Sequence, residues 1–184
     1  QNVFNLSHTQ NIQIGNLRIT AFSKFHDAAD PYSFTVECNE VRVGVFTDIG
    51  SVCDRLVGHF KNCHAAFLEA NYDTEMLENG RYPYFLKRRI TSGYGHLSNK
   101  QALDLFLNHR PDYMTHLLLS HLSKDNNDPQ LVENLFRSVA GNIHIKVASR
   151  FEESELYFVS KHQQEGKTYH FDPSVYQPEQ LNLF

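Results

Sequence analysis

The stretch that most constrains the fold runs over residues 114–129, MTHLLLSHLSKDNNDP. Met114–Leu119 is an apolar run long enough for a buried β-strand and too short for an ordinary α-helix. The run leads into His121, and the polar loop that follows ends on Asp128 and Pro129, a helix N-cap and a first-turn proline. This order predicts an open α/β fold, in which ligands bind beyond the carboxyl ends of strands. Taken alone, His121 is more typical of a capping or half-buried histidine.

The same arrangement recurs along the chain. Short strand-like runs also precede His26, Asp48 and Glu69, and His96 lies on a loop beside a glycine. Histidine and carboxylate together are the usual ligands of zinc and other divalent hydrolytic metals. A carboxylate such as Asp48 could bridge two ions, and a metal would supply a hydroxide nucleophile at neutral pH. The alternative is that Asp48 caps the following helix and Glu69 is a solvated strand end.

Composition narrows the class of protein. The chain has 184 residues, which suits a single domain, and no apolar run approaches the length of a membrane span. The net charge of −4 excludes a general basic field for nucleic acid, so any such contact must come from a local patch. The three cysteines, Cys38, Cys53 and Cys63, lack CxxC spacing, which favours free thiols in a reducing compartment. Without a secretory segment, we expect a cytoplasmic protein that does not enter the membrane.

The remaining patterns predict the other elements of an α/β domain over residues 1–160. Strands are expected over residues 11–14, 17–22, 33–38, 41–46, 64–68, 143–148 and 155–160, and helices after Ser51, Asp73, Pro83 and Ser98. From residue 161 the chain is polar and loses periodicity, so we expect an extended tail over residues 161–184.

Six segments resemble the metallo-β-lactamase superfamily, and in particular its small bacterial DNA exonucleases of the YycJ/WalJ type. They are FHDAADPYSF, FTDIG, LEANYDTEML, RYPYFLKRRI, GHLSN and LLSHLSKDNNDP. The resemblance implies an αββα sandwich that binds two divalent metal ions, zinc or manganese, between its sheets. The HxHxDH motif that supplies most ligands in that family is absent from residues 1–184. We therefore expect the motif N-terminal to Gln1 and interpret the chain as the C-terminal sheet-plus-helices half of the sandwich.

The resemblance also implies roles for individual residues. His26 would bind one metal ion, His121 the other and Asp48 both, whereas Glu69 and His96 resemble a pair that protonates the leaving group in related tRNA-processing endonucleases. A carboxylate that orients an imidazole makes a competent general acid. With so few ligands, we expect the chain alone to bind metal weakly, to be inactive, and to pair with the missing half or with another copy.

Two further segments suggest partners. The cations Lys87, Arg88 and Arg89 are either a solvated helix face or a contact for DNA phosphates. The last five residues, QLNLF, resemble the peptide that docks bacterial replication and repair proteins on the sliding clamp. In that resemblance Gln180, Leu181, Leu183 and Phe184 would contact the clamp; the alternative is an apolar chain end that packs on its own domain.

Together these features predict a metal-dependent DNA exonuclease that acts in repair or replication. Two alternatives stay open at this point. One is a metallohydrolase that acts on RNA or a small ester, because one fold hosts many chemistries. The other is a non-catalytic adaptor that presents the clamp peptide.

Overall fold

The computed structural model describes residues 11–161, which form seven strands and five helices. The strands are β1 Asn11–Ile14, β2 Leu17–Ser23, β3 Tyr32–Cys38, β4 Val41–Phe46, β5 Ala65–Glu69, β6 His116–Ser120 and β7 His144–Val147. The helices are α1 Asp54–Phe60, α2 Thr74–Asn79, α3 Tyr84–Ile90, α4 Asn99–His109 and α5 Pro129–Arg137. This order confirms the expected α/β class.

The strands form one sheet in the order β1 to β7. Strands β1 to β4 are an antiparallel meander, and β4 to β7 are parallel and joined by helical crossovers. The meander uses tight turns, with Gly15 at φ 55° after β1 and Asn39 and Glu40 at φ 48° and 65° after β3. Since β2 runs in the same direction as β4 to β7, the carboxyl ends of these five strands meet at one edge of the sheet. We call it the carboxyl edge.

One face of the sheet is covered by helices. Alternate strand residues such as Phe46, Leu68 and Leu119 are fully buried against apolar residues of α1, α4 and α5, among them Phe60 and Phe106. The helices begin where the sequence offers caps, which are the side chains of Asp73, Ser98 and Asp128. Burial of this face against the helices therefore provides the core.

The other face, which we call the open face, carries Phe34, Val36, Val43, Val45 and Phe67. The strand register places these side chains on the side opposite the helices. All five are partly exposed, and none belongs to the buried core. One layer of helices on one sheet is half of an αββα sandwich.

Two of the expected elements differ from the structure. The helix expected after Ser51 begins at Asp54, with Cys53 at the N-cap position and no side-chain cap. The strand expected over residues 155–160 is wrong, since that segment contains no strand. The reason is that Tyr157 packs on the rings of His116 and His144, with centroids 5.5 and 5.4 Å away, instead of extending beside β7.

No helix within residues 11–161 combines the length and the hydropathy that a membrane crossing requires.

Candidate metal centre

The five residues expected at the site lie together at the carboxyl edge. His26 follows β2, Asp48 follows β4, Glu69 ends β5, His121 follows β6, and His96 lies in the loop between α3 and α4. Strand direction alone explains this placement for four of them, because each is at the carboxyl end of a strand that points to the same edge.

Asp48 lies between two histidines. Its Oδ1 is 3.6 Å from Nε2 of His26 and 3.4 Å from Nε2 of His121. These separations are long for hydrogen bonds. They match the ~3.3 Å between neighbouring ligands of a tetrahedral ion whose bonds are about 2.0–2.1 Å.

Backbone strain accompanies this placement. Asp48 and His121 have φ of 55° and 58°, in the left-handed region that residues other than glycine rarely adopt. Both residues leave their strands through this conformation, which turns the chain sharply at the carboxyl edge. Strain of this kind is found most often at functional sites.

Glu69 is the buried centre of the hydrogen bonding. It is 0% exposed, and its Oε1 lies 2.7 Å from Nδ1 of His96 and 2.7 Å from Nδ1 of His121. Its Oε2 accepts hydrogen bonds from the backbone N–H groups of Ile49 (2.6 Å) and Leu97 (3.4 Å). The predicted proximity of Glu69 and His96 is therefore present, and His121 shares the same carboxylate oxygen.

These contacts shift the pKa values of the pair. Burial raises the pKa of the Glu69 carboxyl, but hydrogen bonds from His121 and His96 outweigh it and hold that pKa below its ordinary value. The hydrogen bond to Glu69 raises the pKa of His121, against the opposite effect of burial. Glu69 is thus an anion that favours a proton on the Nδ1 atoms facing it.

The tautomer of His26 follows from a similar contact. Its Nδ1 lies 3.0 Å from the carbonyl oxygen of Gly95. A carbonyl oxygen only accepts, so Nδ1 carries a hydrogen, and Nε2 is the His26 nitrogen that could bind a metal ion beside Asp48. Gly95 is required here, because a Cβ at this position would lie 2.1 Å from the carbonyl oxygen of Ile90.

Two compact groups of potential ligands result. His26 and Asp48 form one with His96, and Glu69 and His121 form the other with the same His96; within each group the ligand atoms lie within 4.8 Å of one another. That His96 acts only as an acid therefore stays a prediction, because His96 belongs to both groups. His96 is placed to bind an ion as well as to carry a proton.

The three expected DNA-binding cations point in different directions. Lys87 donates to the carbonyl oxygen of Glu78 (2.7 Å), and Arg88 lies over the ring of Tyr84 at 5.9 Å. Arg89 forms an ion pair with Asp27, whose Oδ1 is 3.6 Å from Nε2 of His26. Only Arg89 of the three lines a cavity of about 390 Å³ that His96 and His121 also line.

The structure adds residues that sequence reasoning missed. Asn71 donates to the carbonyl oxygen of His121 (2.7 Å) and so fixes the strained turn. Asp27, Lys124 and Arg150 line the same cavity as His121. Asn71 lies two residues after Glu69, Asp27 directly follows His26, and Arg150 comes shortly after β7. All three therefore lie near the carboxyl ends of strands, the positions from which the other site residues were predicted.

Residues 180–184, with the expected clamp contacts, lie outside the described residues.

Known proteins resemble this chain in sequence, although no protein-family model matches it. Exodeoxyribonuclease YycJ of Bacillus anthracis is 36% identical over 138 residues, which are 75% of this chain and 52% of the relative. Exodeoxyribonuclease WalJ of Streptococcus pneumoniae is 33% identical over 131 residues, 71% of this chain and 48% of the relative. The chain thus spans about half the length of both relatives.

Solved structures show the same architecture at low sequence identity. The metallo hydrolase Igni18 of Ignicoccus hospitalis superposes with a TM-score of 0.58 at 14% identity, covering 84% of this chain and 61% of that one. The metallo-β-lactamase fold protein YhfI of Bacillus subtilis gives 0.57 at 16%, covering 78% and 50%. Zn²⁺-bound PqqB of Methylobacterium extorquens gives 0.54 at 16%, covering 78% and 52%. The chain therefore has the fold of the metallo-β-lactamase fold proteins, and it is similar in sequence to the YycJ and WalJ exodeoxyribonucleases over about half of their length.

Proposed function

We propose that this chain supplies the histidine–carboxylate half of a metal-dependent DNA exonuclease that acts in repair or replication. The observation that carries the proposal is the carboxyl edge itself, where three imidazoles and two carboxylates converge and a buried Glu69 orients two of the imidazoles. The names of the two relatives suggest DNA as the substrate.

The residues fit part of a site for two divalent ions, zinc or manganese. His26 has its Nδ1 hydrogen-bonded to a carbonyl and His121 to a carboxylate, an arrangement that is typical of metal-binding histidines. Asp48 lies between their Nε2 atoms, so its carboxylate would be shared by the two ions. The described residues offer too few ligands to close both coordination shells, and we expect the chain alone to bind metal weakly and to be inactive.

When bound, the ions would supply a hydroxide nucleophile and neutralise charge on the phosphate. The chain's own residues would orient and protonate. Glu69 holds His96 through Nδ1, and His96 lines the cavity, where its Nε2 would give a proton to a leaving oxygen. Arg89 lines that cavity and is placed to contact a phosphate.

The test uses the full open reading frame that encodes this chain, loaded with zinc or manganese and given end-labelled DNA. Asp48→Ala and His121→Ala should lower both metal content and nucleotide release by 100-fold or more, on the order of the loss from one metal-site defect. His96→Ala should retain most metal and lose turnover; loss of metal instead would make His96 a ligand. The control is His109→Ala, in the last turn of α4. Full nucleotide release by Asp48→Ala would reject the proposal.

Pairing of two halves follows from the open face. The open face presents an apolar surface whose side chains are partly exposed to solvent, namely Phe34, Val36, Val43, Val45 and Phe67. We propose that the remainder of the sandwich, or a second copy of this chain, packs there.

Docking on the bacterial sliding clamp is a separate part of the proposal and is carried by the QLNLF ending alone. Leu183 and Phe184 would fill an apolar pocket, with Leu181 beside them and Gln180 hydrogen-bonded at its rim. A peptide of the last residues should bind purified clamp, and the same peptide with Leu183→Ala and Phe184→Ala should not. Equal binding by both peptides, or none by either, would remove this role.

A further inference from the structure

A second cavity, of about 750 Å³, adjoins the candidate metal centre on the side of β7. It shares five lining residues with the cavity at the metal centre, which are His121, Leu122, Ser123, Lys124 and Arg150. Its remaining wall includes apolar side chains of Pro129, Val147 and Phe151. The two cavities therefore form one continuous groove, with a polar end at the histidines and an apolar end at Phe151.

Two cations stand where the cavities meet. Lys124 and Arg150 line both cavities, are exposed, and form no ion pair with any residue from 11 to 161. Arg150 donates to the carbonyl oxygen of Leu122, which fixes its guanidinium beside the turn that follows His121. Arg89, by contrast, is already paired with Asp27. Lys124 and Arg150 are thus cations whose charge no carboxylate among residues 11–161 offsets by an ion pair, so their charge is fully available to an incoming anion.

Phe151 is the aromatic part of this groove. Its side chain is 84% exposed although it is a large apolar ring. The Ser149 hydroxyl accepts hydrogen bonds from the backbone N–H groups of Phe151 and Glu152, both at 3.1 Å, and this turn presents the ring at the cavity mouth. An exposed ring beside unpaired cations is the combination that stacks on a base and holds its phosphate.

We propose that this groove binds an unpaired nucleotide of single-stranded DNA, with phosphates at Lys124 and Arg150 and a base stacked on Phe151. The inference rests on the proposed function and adds the form of the substrate. A duplex keeps the faces of its internal bases in the stack, so away from its ends it offers phosphates but no base to Phe151. The chain has a net charge of −4, so binding depends on this local patch.

The experiment measures fluorescence anisotropy of a short labelled oligothymidine with the purified chain in EDTA, over a range of salt concentrations. Lys124→Ala and Arg150→Ala should each weaken binding and lower the salt slope by about 0.7, the value for one phosphate contact on a single strand. Phe151→Ala should weaken binding by about 5- to 150-fold without changing that slope, because stacking releases no counterion. Phe151→Tyr keeps a ring and should bind like the parent chain.

The control is Lys61→Ala, an exposed cation just after α1, which should leave binding unchanged. The same oligonucleotide annealed into a duplex should bind more weakly, and its binding should depend less on Phe151, because only its end bases can stack. All four altered side chains are exposed, and circular dichroism of each variant should match the parent.

Three results would overturn the inference: no binding by the parent chain, parental binding by Phe151→Ala, or a duplex bound as tightly as the single strand. Failure of the proposed function gives a different pattern. Single-strand binding that depends on Phe151, together with no hydrolysis by the full open reading frame, would keep the groove and reject the nuclease. Hydrolysis by the full open reading frame, together with single-strand binding that is unchanged in the Phe151, Lys124 and Arg150 variants, would keep the nuclease and reject the groove.

Discussion

Replacing Glu69 by glutamine should disturb the candidate metal centre through the histidines rather than through packing. Glu69 has no exposed surface and accepts four hydrogen bonds, from the imidazoles of His96 and His121 and from the backbone N–H groups of Ile49 and Leu97. Glutamine has the same shape, so no cavity forms. The substitution, however, replaces one of the two carboxylate oxygens of Glu69 by an NH₂ group, which only donates hydrogen bonds.

The backbone decides which way the amide turns. The N–H groups of Ile49 and Leu97 cannot accept, so the amide oxygen must face them and the NH₂ must face the two imidazoles. His96 and His121 must then accept at Nδ1 and carry their hydrogen on Nε2. A protonated Nε2 cannot bind a metal ion, so one substitution removes two potential ligand atoms without touching either histidine.

The size of the effect follows from the contacts. Hydrogen bonds to a charged group contribute about 1.5–3 kcal/mol and neutral ones about 0.5–1.5, so the two imidazole bonds together would lose ~2 kcal/mol. The side chains of His96 and His121 are 22% and 41% exposed, and water makes up part of that loss. We expect the free energy of unfolding to fall by about 1–2 kcal/mol and metal affinity by about 10- to 100-fold.

Urea unfolding followed by circular dichroism, and zinc titration by calorimetry, would measure both quantities. Glu75→Gln, on the exposed side of α2, is the matched control. Glu69→Leu should lower the free energy of unfolding more than Glu69→Gln does. The leucine leaves the buried N–H groups of Ile49 and Leu97 without acceptors, which costs ~1–3 kcal/mol each. If Glu69→Gln unfolds and binds zinc like the parent chain, the hydrogen bonds do not set the tautomers and the reasoning fails.

Three other predictions concern the metal-free chain. Because the folded-state pKa of His121 is raised and that of Glu69 is lowered, their interaction should stabilise the fold most between about pH 4.3 and 6.5. The stability difference between parent and His121→Gln should therefore shrink as pH rises above that window and as it falls below it, and a constant difference from pH 4 to 9 would contradict the pair. Phe67→Ser on the open face should reduce self-association in analytical ultracentrifugation, and an unchanged mass distribution would remove the face from the interface. Asp128→Ala removes the acceptor for the Leu131 N–H (2.8 Å) and should cost about 1 kcal/mol in urea unfolding; no cost would mean that water replaces the cap.

Sequence patterns predicted the elements best where local chemistry and tertiary contacts agree. The helices after Asp73, Ser98 and Asp128 begin at the expected caps, since the side-chain oxygen of each cap accepts a hydrogen bond from the backbone N–H three residues later. The expected strand over residues 155–160 failed because Tyr157 finds two imidazoles on the sheet, a contact between distant parts of the chain. Local β-propensity carries no information about such a partner.

The same distinction holds for the candidate site. The ends of the predicted strands indicated which residues meet at the carboxyl edge, because the register of a strand is encoded in its hydrophobic alternation and in the length of the turns beside it. They did not predict that His96 and His121 share one oxygen of Glu69. That contact depends on how the loop before Leu97 folds over β5, and no period in the sequence reports it. Lys87, Arg88 and Arg89, by contrast, are consecutive in α3, so helical rotation alone makes their side chains point apart.

The strained residues at the carboxyl edge lower the stability of the fold, as expected for the functional site that we propose there. Asp48 and His121 each hold a positive φ, at a cost on the order of 1 kcal/mol or more, where glycine or asparagine would relieve the strain. Asn71 binds the carbonyl of His121, and Glu69 binds its ring, so neighbouring side chains hold the turn from both sides. The strained turns bring Nε2 of His121 and Oδ1 of Asp48 to 3.4 Å, a separation at which two ligands can share an ion but do not make a good hydrogen bond with each other. Replacing Asp48 by glycine should therefore stabilise the metal-free chain while it removes the carboxylate that we propose is shared by two ions, and a destabilised Asp48→Gly variant in urea would show that Asp48 serves the fold instead.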